Sequence, residues 1–525
     1  MYSPVYLLTA TGQPPQEASR TSTRITEVGP KSRLEAGSGD GSCRSRGADW
    51  RCDQVERTAV ALVISREELL VQAENFDLNE ADVQRDYLFG WIISGIFQES
   101  QLATRAVLKG GNALRKGYLP GTRFSDDLDF STADALDGDA VLQQLNAVCG
   151  FASTQTGVAF DIARNRLSGE QQIDRDRHVY KYQLYFKDMI GDRDYLTISM
   201  RVDMTEYDRL LLPPQERQLI HPYSDADACA TMIRCVKLEE ALADKLKCLL
   251  QRRYCYDLFD LVYGAFLARD IEVDRAEVMN VFLRKTVFGA SPGAARSLLL
   301  DLPVDLFRGY WHKVLVPAAS RMSFDVAVDA MKAGIADLFA PYAAAGRGEL
   351  AFYPSRLRNP ILEAGAGRKL IRLTYDGVTR IVEPYSLVFK RRTSDGVANE
   401  YLYVWDRTGG RSGPGIKALF HYKIQDLQLL DETFEPQFEV SLSKAGDTSQ
   451  SGYFVGRPGP RGASRVRRSP RSRTGRSNGV TYIIQCPACS KQFTRSSSGT
   501  RLNAHKNPWG SPCPGRSGFL VSTRY

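Results

Sequence analysis

The sequence predicts an α+β protein with a mixed sheet and a helical extension, followed by a small β-barrel and a metal-binding finger. Three observations predict this class. Strand-like runs and apolar helical patterns share the first part of the chain, short strands follow one another closely over residues 360–442, and three cysteines gather with a histidine near the C-terminus. With 525 residues, 43% of them apolar, the chain is long enough for several separate cores.

Composition narrows the class of protein and its compartment. No apolar run approaches the roughly 18 residues of a membrane span, and the N-terminus lacks a signal-peptide pattern, so we expect a cytoplasmic protein without a membrane partner. Most of the ten cysteines are scattered, which indicates thiols in a reducing compartment. The net charge of +8 matters because eight arginines fall between Arg457 and Arg476.

The first 62 residues are rich in Ser, Gly, Thr and Arg without apolar periodicity, which predicts a disordered arm. A helix should begin after Ser65, whose hydroxyl can cap it, and a second helix should cover 82–97.

Two motifs follow, KGGNALR at 109–115 and RFSDDLDF at 123–130. The glycine pair of the first lets the backbone approach a phosphate. Asp127 and Asp129 of the second have strand spacing i, i+2, so they point to one face and can hold a divalent metal. This combination is typical of a nucleotidyltransferase, although DxD alone also suits a solvated acidic turn.

A third carboxylate and a lysine lie downstream. Residues 195–204 alternate as a strand, which places Asp203 on its polar face, either as a further metal ligand or as an exposed strand-end aspartate. The helix expected over 236–246 has leucines at i, i+4 steps, and Lys245 lies beside this apolar stripe. A lysine near acidic residues on a helix is by itself most often an ion pair.

These segments resemble the AbiEii/AbiGii toxin nucleotidyltransferases, whose motifs are KGGTxLR and RFSEDLDF. MRVDM at 200–204 is similar to the family's IKIDI-like strand, EEALADKL at 239–246 to its EEILAEKL, and RRYCYDLFD at 252–260 to RRxxRDLYD, with Tyr256 in place of Arg. The resemblance covers about 65–290. Family members often begin with MISREELL, similar to VISREELL at 63–70, so we expect the natural start at Val63 and an artefact before it.

The resemblance implies two sets of site residues. Catalysis is assigned to Asp127, Asp129, Asp203, Lys245 and Asp257. Nucleotide contacts are assigned to Lys109, Gly110, Gly111, Arg115, Arg123, Lys245 and Asp260. Two Mg²⁺ ions held by Asp127, Asp129 and Asp203 would offset the charge that develops during transfer. Arg115 and Arg123 could instead pair with Asp126 or Asp127 as structural bridges.

The short strands of 360–442 predict a small barrel. Their sequences resemble a WYL domain, an SH3-like barrel, through IRLTY (371–375), RIVEPYSL (380–387), YLYV (401–404) and YKIQDL (422–427). The resemblance implies ligand contacts from Arg380, Tyr401, His421 and Lys423. The aromatic members could equally fill the barrel core.

The last segment contains C-x2-C-x15-H-x7-C, formed by Cys486, Cys489, His505 and Cys513. Three sulfur ligands and one imidazole suit tetrahedral Zn²⁺, which predicts a structural zinc finger. Basic residues around it favour nucleic-acid contact, with protein contact as the alternative. The Arg-rich linker before it either binds phosphates or is a solvated tether.

The predicted organisation is an N-terminal arm (1–62), a nucleotidyltransferase-type domain with a helical C-terminal part (63–355), a WYL-like barrel (360–442), a disordered linker (443–480) and a Cys3His zinc finger (481–525). The resemblance implies transfer of a nucleoside monophosphate from an NTP to RNA, with a tRNA 3′ end favoured. It also implies a toxin role in a toxin–antitoxin or phage-defence system, with a cognate antitoxin. The alternatives are a nucleic-acid-binding regulator with a silent transferase fold and an enzyme that nucleotidylates protein.

Overall fold

The computed structural model describes residues 64–173, 177–190, 197–208, 210–342, 349–391, 396–409, 413–448, 481–489, 491–495, 500–506 and 512–524. The predicted N-terminal arm, the expected start at Val63 and most of the predicted linker lie outside these residues.

The helices of the described chain are α1 (Arg66–Phe76), α2 (Glu80–Glu99), α3 (Gly110–Ala113), α4 (Gly138–Thr156), α5 (Ala226–Cys229), α6 (Leu238–Gln251), α7 (Cys255–Leu261), α8 (Arg275–Lys285), α9 (Pro292–Leu300), α10 (Asp305–Arg308), α11 (Phe324–Phe339) and α12 (Ser355–Gly367). Several begin at a side-chain cap. Ser65 accepts a hydrogen bond from the backbone N–H of Glu68 at the start of α1, as the sequence predicted, and Asn79 caps α2 in the same way.

The strands are β1 (Val107–Lys109), β2 (Asp127–Ser131), β3 (Arg166–Gln172), β4 (His178–Lys187), β5 (Thr197–Thr205), β6 (Gln215–Gln218), β7 (Met232–Cys235), β8 (Lys369–Tyr375), β9 (Val378–Arg391), β10 (Ala398–Asp406), β11 (Gly415–Leu419), β12 (Ile424–Thr433), β13 (Thr481–Gln485), β14 (Gln492–Arg495), β15 (His505–Lys506), β16 (Pro512–Cys513) and β17 (Phe519–Arg524).

The main sheet is mixed, with seven strands in the order β3-β4-β5-β2-β1-β7-β6. β2 runs parallel to β5, and β1 runs parallel to β7, while the other pairs are antiparallel. Met200, Val202 and Met204 of β5 are fully buried, and the intervening residues are more exposed, so one face packs into the core. The predicted mixed sheet is therefore confirmed, and its centre is β2.

Helices cover the buried face and extend the core. α2 is buried along most of its length and contacts α4, and both helices belong to the same apolar cluster as β5. In α6, Leu238, Leu242 and Leu246 are buried at the predicted i, i+4 steps, and Leu249 follows three residues later. This stripe packs the helix against the core and places Lys245 beside the core, where it is buried.

A second sheet is antiparallel, with the order β11-β10-β9-β8-β12. Among the described strands β11 and β12 are its open edges, so the closed SH3-like barrel that the strand spacing predicted is not found. The reason lies in how its faces are covered. α12 packs on one face, where Leu357 and Ile361 join the sheet's buried residues, and a smaller cluster around Tyr385 fills the other.

The C-terminal residues form two small sheets, β14-β13-β17 and β15-β16. In the described part of the chain, no helix combines the length and apolar character needed to cross a membrane.

Candidate active site and metal centre

Asp129 lies at the centre of a row of charged side chains that crosses the main sheet. Strand register pairs it with Lys109 of β1 on one side and with Asp203 of β5 on the other. Asp127, two residues earlier on β2, shares its face. The structure therefore brings together the three carboxylates that the sequence selected.

Gly110 follows β1 directly and has a left-handed backbone with φ +71°. A Cβ atom at this position would lie 2.2 Å from the Asp129 Oδ2 atom. Any larger residue would displace that carboxylate, so the glycine is required by both its backbone and its contact. At Gly111, a Cβ atom would lie 2.7 Å from the Ser125 Oγ atom.

The carboxylates repel one another in a poorly solvated place. Burial, followed by the charge of Asp127, raises the pKa of Asp129 to about 6, although Lys109 opposes this. Burial also raises the pKa of Asp203, against the opposing charge of Lys181. Crowded carboxylates of this kind can bind a hard divalent cation, because its positive charge offsets their mutual repulsion.

Lys109 is held by a residue that the sequence did not single out. Its Nζ atom donates to the Thr205 hydroxyl at 3.0 Å and to the Asp208 carboxylate at 2.9 Å. Asp208 also accepts a hydrogen bond from Ser131. Despite burial, the charge of Lys109 and these hydrogen bonds hold the pKa of Asp208 far below its usual range. Asp208 therefore fixes Lys109 beside Asp129.

Lys245 lies in a buried network of alternating charges. Its Nζ atom is 3.1 Å from Asp257 and 2.7 Å from Asp260. Arg123 donates two hydrogen bonds of 2.9 Å to Asp260, and Arg252 donates two to Asp257, at 2.8 and 3.1 Å. Three cations thus face two carboxylates, and the network has a surplus positive charge.

Two further residues shape this network. The guanidinium of Arg123 lies 4.8 Å from the ring centroid of Tyr256, which stands where the resembled motif has Arg. Arg252 was not among the site residues selected from the sequence. Its side chain is 46% exposed, and the charge of Asp129 contributes to raising its pKa. Its only sequence signal was membership of the motif at 252–260. The surplus charge therefore reaches the surface beside the carboxylates.

Arg115 has a different environment from Arg123. Its Nε atom donates to Asp86 at 2.9 Å, and its Nη1 atom donates to the carbonyl groups of Pro120 and Thr122. Its side chain is 2% exposed and its guanidinium carbon lies 3.7 Å from the ring centroid of Phe124. These are the contacts of a buried structural residue, and its nucleotide contact stays a prediction.

The C-terminal cluster converges on one point. The ligand atoms of Cys486, Cys489, His505 and Cys513 all lie within 4.8 Å of one another. The Cys486 and Cys513 sulfurs are 3.7 Å apart, close to the edge of a tetrahedron with Zn–S bonds of about 2.3 Å. His505 Nδ1 lies 2.9 Å from the Asn503 carbonyl, an arrangement that leaves Nε2 for a metal. The four residues could therefore hold a zinc ion.

The four candidates of the second sheet all have partners. Arg380 pairs with Asp406, Lys423 with Asp376 at 2.8 Å, and His421 Nε2 lies 2.9 Å from the Leu350 carbonyl. The ring of Tyr401 packs 4.6 Å from that of Phe420. Arg380 and Lys423 lie near the same ring, with the Arg380 guanidinium carbon 5.7 Å and the Lys423 Nζ atom 5.8 Å from the ring centroid of Tyr375.

One family model matches the central part of the chain. Residues 91–312 match the family model described as nucleotidyl transferase AbiEii toxin, type IV TA system. No curated protein matches the chain.

Three solved structures are similar over about half of the chain. MenT4, a nucleotidyltransferase toxin from Mycobacterium tuberculosis H37Rv, is 23% identical, with 54% of this chain and 94% of that chain covered and a TM-score of 0.36. JHP933 from Helicobacter pylori is 17% identical over 50% and 94%, with a TM-score of 0.33. A putative nucleotidyltransferase from H. pylori is 16% identical over 50% and 97%, with a TM-score of 0.31.

Proposed function

We propose that this enzyme transfers a nucleoside monophosphate from an NTP to an RNA acceptor, because residues 91–312 match the AbiEii nucleotidyltransferase toxin family model. A tRNA 3′ end is the favoured acceptor. The enzyme would act in the cytoplasm as the toxin of a toxin–antitoxin or phage-defence system, neutralised by a cognate antitoxin. The observation that carries the reaction type is the carboxylate row of Asp127, Asp129 and Asp203 beside the side-chain-free backbone of Gly110.

The reaction joins the acceptor hydroxyl oxygen to the α-phosphorus and breaks the bond from that phosphorus to the pyrophosphate. Asp127, Asp129 and Asp203 would hold two Mg²⁺ ions, which supply compensation for the negative charge that develops. Asp203 occupies the side of the row away from Gly110, where it can accept the hydroxyl proton.

The triphosphate would lie on the other side, over Gly110 and against the positive network. Arg252 is the member with an exposed guanidinium, so we assign it to the β- and γ-phosphates. Lys245 and Arg123 are almost fully engaged with Asp257 and Asp260. They would contribute through the surplus charge of the network and by positioning Arg252 through Asp257.

The C-terminal cluster and the five-stranded sheet are also assigned binding roles. We assign a structural Zn²⁺ to the Cys3His cluster, supported by the convergence of its ligand atoms, and nucleic-acid contact to the finger around it. The five-stranded sheet would be a WYL-like ligand-binding module, with Tyr401 and Lys423 among its contacts.

The test incubates the purified chain with Mg²⁺, each labelled NTP in turn, and total tRNA. An Asp127→Asn/Asp129→Asn variant is compared with Asp329→Asn, which removes an exposed carboxylate from α11. We expect labelled RNA from the wild type and from Asp329→Asn alone. Labelled protein instead of RNA would support a protein-modifying enzyme. RNA binding without any label would support a silent regulator, and either result would refute the proposal.

A further inference from the structure

The carboxylates continue into two rows that cross the main sheet towards its edge strand β3. One row is formed by register-paired Asp127, Arg201, Gln183 and Arg166, on β2, β5, β4 and β3. In the parallel row, Asp203 is followed by Lys181 on β4. The charges change sign along both rows, from acidic at the centre of the sheet to basic at its edge.

The basic residues lie on the face opposite the helices. The alternate residues of β4 and β5, among them Leu184, Met200 and Val202, are buried in the helix-covered core. By contrast, Arg201 is 56% exposed and Arg166 is exposed. The basic side chains therefore point away from α2 and α4 and share one accessible face with Asp127.

Contacts with neighbouring side chains hold two arginines in place near the β3 edge of this face. The guanidinium carbons of Arg164 and Arg166 lie 4.4 and 5.4 Å from the ring centroid of buried Tyr185. Arg164 also donates to Thr197, and Arg166 donates to Gln183 at 2.7 Å. Both arginines thus keep a fixed position while their charge stays near solvent.

We infer that Arg166, Lys181 and Arg201 form a track for the phosphates of a single-stranded polynucleotide whose 3′ end reaches Asp203. This inference rests on the proposed function and assigns the acceptor a surface. Three strand spacings separate β2 from β3, about 14 Å in total. A stacked strand that advances about 3.4 Å per nucleotide would place about four nucleotides on the track. Along the two rows, the phosphates would meet basic side chains and the neutral amide of Gln183 before the terminal nucleotide reaches the carboxylates.

The test compares the full-length wild-type chain with an Arg166→Gln/Lys181→Gln variant and with Arg284→Gln, which removes an exposed arginine from α8. Each is titrated with a mixed-sequence single-stranded RNA at several salt concentrations, without NTP. We expect weaker RNA binding by the double variant only. Because two phosphate contacts are lost, the slope of log K against log salt should fall by about 1.4.

A charge-retaining Arg166→Lys/Lys181→Arg variant guards against misfolding and should recover most of the binding. Equal RNA affinity and equal salt slope in the wild type and the Gln double variant would overturn the track. A wild type that binds RNA through the track but labels none would overturn the proposed function alone. A wild type that does not bind RNA would overturn both.

Discussion

Asp129→Asn should make the folded protein more stable, although it removes a central carboxylate. Burial and Asp127 raise the pKa of Asp129 from 3.8 to about 6, so between these pH values the unfolded chain has lost the proton that the native state retains. Stability then falls as pH rises. At about 1.4 kcal/mol per pH unit, the wild type loses on the order of 3 kcal/mol relative to the variant by pH 7.

The assay is denaturant unfolding followed by tryptophan fluorescence, since Trp91 is buried in the core of this domain. Without Mg²⁺, the two proteins should have similar free energies of unfolding near pH 4. The variant should gain its advantage between pH 4 and 6 and keep it above pH 6.

Added Mg²⁺ gives an internal control. An ion that binds only the native state at 100 times its Kd adds about 2.7 kcal/mol, and the wild type should gain more than the variant. The reasoning would be refuted if the difference in free energy of unfolding between wild type and variant were the same at pH 4.5 and at pH 7.5. An equal Mg²⁺ effect in both proteins would also refute it.

Other changes test the buried charges and the cysteine cluster. Lys245→Met should destabilise the fold by about 3–5 kcal/mol in denaturant unfolding, because two buried carboxylates lose their shared cation. Asp86→Asn should also destabilise it, and its deficit should shrink as pH falls below about 4, since the strongly depressed pKa of Asp86 contributes stability only above that range. Cys513→Ser should abolish bound zinc in elemental analysis, whereas Cys248→Ser, outside the cluster, should retain it. Unchanged unfolding free energies or unchanged zinc content would contradict these expectations.

The parts of the fold that were predictable from sequence had clean periodicity. The alternation of 195–204 predicted β5, whose described residues begin at Thr197, and the leucine steps predicted α6. By contrast, β3 carries the polar sequence RLSGEQQ at an edge, where one neighbour suffices and no apolar face marks the strand. β9 contains Pro384, and the strand continues through a register shift there, which accommodates a residue without an N–H.

Some residues of the candidate site could also be predicted from the sequence, and others could not. Motif spacing was enough to select Asp127, Asp129 and Asp203, because a period of two fixes which side chains share a face. Spacing could not show that Arg115 and Arg123 have different environments. Arg115 pairs with Asp86 and Arg123 pairs with Asp260, and both partners lie far away along the chain. Asp208 and Arg252 were missed for the same reason, because their partners are known only once the chain is folded.

Single-turnover reactions with NTP labelled either at the α- or at the γ-phosphate, in the presence of Mg²⁺ and tRNA, test the central claim most directly. We expect the α label in RNA and the γ label in pyrophosphate, with both products absent from the Asp127→Asn/Asp129→Asn variant. Transfer of the γ label, or full activity in that variant, would contradict a nucleotidyltransferase centre built on these carboxylates.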